Sequence, residues 1–108
     1  MTKENLTPVV KHQYGSVQVD FVKSEVMREG KPVSLSGKEM QLLRYLIDHR
    51  GNALARENIL SAFGEYQPNV STRTVDVHIA WLRQKLEDNP QYPKFILTVR
   101  GLGYRFAA

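Results

Sequence analysis

Few residues in this 108-residue sequence are of a type and spacing that could do covalent chemistry. The three histidines, His12, His49 and His78, fall on separate stretches. None has a second ligand at helical or strand spacing, so no metal site is expected. The chain has no cysteine, which removes disulfides and thiolate sites. No Gly-x-Ser-x-Gly elbow and no phosphate loop occurs. Glu87 and Asp88 are adjacent carboxylates, but neighbours on a helix diverge by about 100° and cannot share one substrate. Neither an enzyme nor a cofactor is expected. What remains is charge. Residues 71–108 hold six basic side chains (Arg73, Arg83, Lys85, Lys94, Arg100, Arg105) against three acidic ones. Residues 1–70 hold nine against eight, so most of the net charge of +4 lies in the last third. That distribution points to an anionic partner.

The element that must position these groups is a helix spanning residues 72–88. Val75, Ile79, Leu82 and Leu86 recur at i, i+4, i+7 and i+11, one narrow core-facing stripe. The opposite face carries Arg73, Val77, Ala80, Trp81 and Gln84. It is poor in charge and bears the single tryptophan, so it is read as meeting a partner rather than water. Ser71 or Thr72 supplies the N-cap, and Asn89-Pro90 is expected to end the helix.

Around this helix the chain reads as follows. Residues 1–12 are polar, contain Pro8 and show no period, which suggests a flexible tail or linker, with one domain over 13–108. Alternation through Val17, Val19 and Phe21 marks a strand, Glu25–Arg28 a second and Pro32–Leu35 a third, with a hairpin turn at Gly30. Ser36-Gly37-Lys38-Glu39 is a capping box, and Met40, Leu42, Leu43, Leu46 and Ile47 form the apolar face of the helix behind it, stopped by Gly51. Ala53–Ala55 is a short extended connector. Arg56–Phe63 is a short helix lacking a good N-cap, and residues 64–70 are a loop. Phe95–Val99 and Tyr104–Phe106 flank a glycine-rich turn, Arg100-Gly101-Leu102-Gly103, as a hairpin. The order of sheet, three helices and hairpin is an α+β arrangement and includes a helix-turn-helix variant. A helix fits the major groove of DNA, and arginines neutralise phosphates. No apolar run reaches the ~18–20 residues a membrane span needs, and residues 1–5 lack the apolar core of a signal peptide. A cytoplasmic location is therefore expected.

Three stretches carry a resemblance. Arg73-Thr74-Val75-Asp76-Val77-His78-Ile79 with Leu82-Arg83-Gln84-Lys85-Leu86, then Thr98-Val99-Arg100-Gly101-Leu102-Gly103-Tyr104-Arg105-Phe106, and the capping-box segment Leu35–Leu43 together resemble the C-terminal effector domain of OmpR/PhoB-type response regulators. Arg56-Glu57-Asn58-Ile59-Leu60 matches too, and the likeness covers roughly residues 14–107. It implies a winged helix-turn-helix with an N-terminal antiparallel sheet of four strands, three helices and a C-terminal β-hairpin wing. It implies a transcription factor of a two-component phosphorelay, with a receiver domain N-terminal to this segment. The DNA partner would be duplex carrying tandem direct repeats, and loop 64–71 would face RNA polymerase or a neighbouring subunit. On the family's pattern Arg73, His78 and Arg83 would hold phosphates, with Thr98 and Tyr104 around the wing. Asp76, Val77 and Trp81 would face bases, Thr74 and Gln84 would complete the DNA-facing set, and Arg100 would enter the minor groove. The sequence departs from the pattern at Ala80 and Trp81, where arginine or another polar residue is frequent, and at Ala55 and Phe63. The competing reading is a winged-helix protein-interaction module using Val77, Ala80 and Trp81.

Overall fold

The computed structural model describes residues 10–62 and 71–108. The chain divides between Ser34 and Leu35 into two compact units.

The first unit is an antiparallel meander of four strands in sequence order: β1 (Lys11–Tyr14), β2 (Val17–Asp20), β3 (Glu25–Arg28) and β4 (Lys31–Val33). The residue pattern gives three of these strands. Lys11 and His12, which it leaves in the tail, form the first half of β1, paired with Asp20 and Val19. Four polar-rich residues without an apolar alternation give no strand signal, and β1 is recruited by its partner. Tyr14, Val17, Val19 and Val26 share one sheet face and are buried. The β3–β4 turn is Glu29-Gly30, both at positive φ (54° and 77°), the combination that matches the strands' twist. Between β2 and β3, the Asp20 carboxylate accepts the Val22 and Lys23 amides at 3.0 Å each, and so holds the turn.

The second unit contains α1 (Gly37–Asp48), β5 (Leu54–Ala55), α2 (Arg56–Ala62), α3 (Arg73–Leu86), β6 (Ile96–Val99) and β7 (Gly103–Phe106). β5, β7 and β6 form one antiparallel sheet in that order. Its core is built from Leu42, Leu43, Leu46 and Ile47 of α1, Ile59 of α2, the Val75/Ile79/Leu82/Leu86 stripe of α3, and Ile96 and Phe106 of the hairpin, all nearly inaccessible to water. Each such side chain contributes about 1.5–3 kcal/mol of transfer free energy. The capping box forms as its residues require: the Glu39 amide donates to Ser36 Oγ at 3.1 Å and the Ser36 amide to Glu39 Oε1 at 2.8 Å. Glu39 does more than cap. It is 3% exposed, and Lys85 Nζ of α3 meets Oε1 at 2.8 Å. Burial alone would raise this carboxyl, but the Lys85 ammonium and the Ser36 amide outweigh it and hold it below its ordinary value.

The end of α3 differs from the sequence expectation. Proline does not stop it. The helix closes at Leu86 because Glu87 turns extended, with ψ at 145°. The buried Glu87 carboxylate then accepts the amides of Lys94 (2.8 Å), Phe95 (3.1 Å) and Ile96 (2.8 Å). Those bonds are worth more to the carboxylate than another helical turn would be. Thr72 occupies the N-cap position without a side-chain cap bond, while Ser71 Oγ accepts the Arg73 amide at 3.3 Å.

The short Leu54–Ala55 connector is a true strand, held against β7 by a close approach. A Cβ on Gly103 would lie 2.1 Å from the Leu54 carbonyl oxygen and 3.0 Å from the Arg56 nitrogen. Only glycine permits that pairing.

Candidate nucleic-acid interface

Because the buried stripe of α3 is narrow, the opposite face is left uncovered. Arg73, Val77, Ala80, Trp81 and Gln84 are all exposed, as their spacing predicts. Val77 is 39% and Trp81 50% accessible. The Trp81 indole meets the His78 ring edge-on, with centroids 5.1 Å apart. His78 is itself oriented from within the helix, its Nδ1 lying 2.8 Å from the Thr74 carbonyl. A carbonyl only accepts, so Nδ1 carries the proton in that bond. Thr74 is partly covered. Arg100 is exposed in the β6–β7 turn, where Gly101 takes φ at 78°. Of loop 64–71, only Ser71 lies within the described residues.

Four other residues of the expected DNA-facing set, Asp76, Arg83, Thr98 and Tyr104, meet in one partly covered cluster at the root of the hairpin. Asp76 Oδ1 accepts from Arg56 Nε at 2.8 Å and from the Tyr104 hydroxyl at 2.5 Å. The guanidinium carbons of Arg56 and Arg83 lie 5.7 and 5.5 Å from the Tyr104 ring centroid, within cation–π range. Arg83 reaches across to β6. Its Nε and Nη2 donate to the Ile96 carbonyl at 3.0 and 2.7 Å, and Nη2 also donates to Thr98 Oγ1 at 3.0 Å. Tyr104 is 6% exposed, with its hydroxyl turned inward to Asp76.

The electrostatics follow from these contacts. Desolvation would raise the Asp76 carboxyl, yet the Tyr104 hydroxyl, the Arg56 guanidinium and the more distant Arg73 together hold it below its ordinary value. The Tyr104 phenol is pushed up, first by burial and then because its proton is shared with Asp76. Burial lowers the Arg83 guanidinium. Asp76, Arg83, Thr98 and Tyr104 therefore spend hydrogen bonds on tying α3 to the hairpin, a use that their residue types do not announce. Two contributors are not among the site residues that the sequence suggests: Arg56, which it gives as the start of a short helix within a family-like stretch, and Glu87, which it gives as half of a carboxylate pair. No local signal marks either, since Arg56 and Asp76 are 20 residues apart.

Residues 30–106 match the family model described as "Transcriptional regulatory protein, C terminal". Over 96 residues the chain is 44% identical to the probable transcriptional regulator ycf27 of Cyanophora paradoxa, covering 87% of this chain and 40% of that protein. Over 73 residues it is 48% identical to the alkaline phosphatase synthesis transcriptional regulatory protein PhoP of Bacillus subtilis, covering 68% of this chain and 30% of that protein. The chain thus spans less than half the length of these relatives. Among solved structures, the Klebsiella pneumoniae RstA DNA-binding domain in complex with RstA box superposes with a TM-score of 0.79 at 37% identity, covering 90% of this chain and 96% of that one. Thermotoga maritima DrrB, an OmpR/PhoB homologue, superposes at 0.84 with 32% identity, covering 92% of this chain and 45% of that one.

Proposed function

Because the chain belongs to the family of transcriptional regulatory protein C-terminal domains, of the OmpR/PhoB type, we propose that it binds double-stranded DNA in a sequence-specific manner, with α3 in the major groove and the β6–β7 wing at the minor groove. It is a transcriptional output domain of the response-regulator class. The observation that carries the DNA reading is the pairing of an uncovered helix face with an arginine-bearing turn, joined through one hydrogen-bonded root. In this reading Arg73 and His78 approach phosphates, while Val77, Ala80, Trp81 and Gln84 face base edges. Trp81 offers one N–H and no acceptor. It suits a thymine methyl or a sugar, and cannot form arginine's two bonds to guanine. Arg100 senses the narrow, electronegative minor groove of A·T-rich flanks.

The longer relatives support a receiver domain preceding this segment in the full-length protein, with the phosphorelay acting through it in the cytoplasm. Tandem direct repeats as the target and loop 64–71 as the contact to RNA polymerase belong to the same proposal, and the role is one of binding, not catalysis. A protein-interaction module is the second reading, favoured by the exposure of Val77 and Trp81.

Mobility-shift titrations on duplex DNA at several salt concentrations separate the two. For roughly four to six phosphate contacts, log K should fall against log salt with a slope of about −4 to −5. An absence of duplex binding even at low salt would leave the protein-interaction reading in possession.

A further inference from the structure

Asp76 sits in the first turn of α3, where a recognition helix meets base edges. Its carboxylate is shared between two other elements: Arg56 is the first residue of α2, and Tyr104 is the second residue of β7. Both donors converge on the same oxygen, Oδ1, which leaves Oδ2 out of both bonds. The Asp76 side chain keeps 40% of its surface accessible.

We propose that Arg56 and Tyr104 are positioning residues for sequence reading: by gripping Asp76 Oδ1 they fix the wing relative to the foot of α3, so that the helix and the Arg100-bearing turn read DNA as one rigid unit. The inference rests on the DNA-binding reading and adds a coupling that the reading alone does not require. Three observations support it. Tyr104 is buried, so its ring has little freedom to swing away from Asp76. β7 has little room to move, because its first residue, Gly103, lies against the Leu54 carbonyl with no space for a Cβ. And Arg83, lying near the Tyr104 ring, binds the Ile96 carbonyl and Thr98 of β6, the strand that runs directly into Arg100. An exposed ion pair alone would be worth little. A carboxylate held by a buried hydroxyl and a guanidinium at once has one orientation, and it transmits that orientation to both strands of the wing.

The consequence is energetic coupling. Changing base pairs under α3 and changing the flank under the wing should not have independent effects on affinity, since a shift forced at one contact is passed to the other. A duplex recovered by the wild-type protein from a randomised pool supplies the probe. Its dissociation constant is compared with those of three derivatives: central bases scrambled, flank changed, and both. Wild-type protein should show a departure from additivity of about fivefold or more. Tyr104→Phe, which keeps the ring and removes only the hydroxyl, should bring the cycle to within about twofold of additive. Arg56→Gln should do the same at a residue outside the core, and Arg56→Lys should retain part of the coupling.

A thermal melt run beside the titrations identifies a variant that has merely unfolded. If Tyr104→Phe melts below the assay temperature, Arg56→Gln decides. An additive cycle in wild-type protein, or undiminished coupling in folded Tyr104→Phe and Arg56→Gln, overturns the inference while leaving DNA binding intact. Recovery of no preferred duplex at all overturns the DNA reading, and this inference with it.

Discussion

The outer face of α3 and the root of the wing draw on similar side chains and use them in opposite ways. On the outer face Arg73, Trp81 and Gln84 stand in water, and their burial is not needed to hold the fold. At the root Asp76, Arg83, Thr98 and Tyr104 each make at least one hydrogen bond within the protein, to one another, to Arg56 or to the Ile96 carbonyl. Residue type alone would assign both groups to DNA. The difference lies in satisfaction: a donor already paired inside the protein gains little from a phosphate, and removing it exposes the partner it leaves behind. On the proposed reading the outer face is the surface offered to DNA, and the root is the frame that aims it.

The hardest way to break the frame is at Gly103. A methyl group there meets the Leu54 carbonyl, a backbone atom that cannot swing away. Gly103→Ala should cost about 3 kcal/mol or more and lower the melting temperature by many degrees. A near-wild-type melt would show that β5 yields freely, and that the wing is not pinned there.

Acid offers a gentler test of the same region. Asp76 and Glu39 are both held below their ordinary values of 3.8 and 4.5. Below about pH 4.5 the unfolded chain takes up protons that the native state refuses, so this stabilisation is complete only above the ordinary values and is lost as pH drops from them through the lower native ones. Denaturant titrations across pH 2–6 should show this slope, and Glu39→Gln should flatten part of it. An unchanged slope in that variant would mean that the Lys85–Glu39 pair is not what the acid breaks.

The smallest effect on stability is expected on the outer face. Trp81 is half exposed, so Trp81→Ala should change stability by no more than about 0.5 kcal/mol while weakening DNA binding. As the only tryptophan it also reports directly. Emission from free protein should resemble an indole in water, and saturating DNA should quench it or shift it to the blue. A blue emission that DNA does not move would turn Trp81 into a packing residue and dissolve the contrast.

What could be read from the sequence and what could not follow the same divide. Periodicity exposes anything that repeats within one element. The Val75–Leu86 stripe, the Ser36–Glu39 box and the Gly101 turn were all legible, and with them the order of sheet, three helices and hairpin, while the winged-helix class came from the family resemblance. The root was not, because its bonds join residues 20 and 28 apart through a folded geometry that no local pattern encodes. The Lys85–Glu39 pair spans 46 residues and was hidden for the same reason. β1 was obscured by its polar residues and β5 by its two-residue length, both being strands defined by their partners. The end of α3 was misplaced because the proline rule describes what forbids a helix, whereas Glu87 supplies something that rewards leaving one.

Glu87 also bears on the order in which the molecule assembles. Its carboxylate closes a loop of seven to nine residues onto the amides of Lys94, Phe95 and Ile96. Arg83 spans 13 residues to Ile96, and Asp76 spans 28 to Tyr104. The entropy of closure rises with the logarithm of span, by about 1 kcal/mol between 9 and 28 residues. The connection from α3 to the wing should thus zip from its shortest link outward, with Glu87 structured in the transition state and Tyr104 docking late. In a chevron, Glu87→Gln should slow refolding, whereas Tyr104→Phe should mainly hasten unfolding; the reverse pattern would mean that the distant bond forms first and the near one merely fastens a loop already in place.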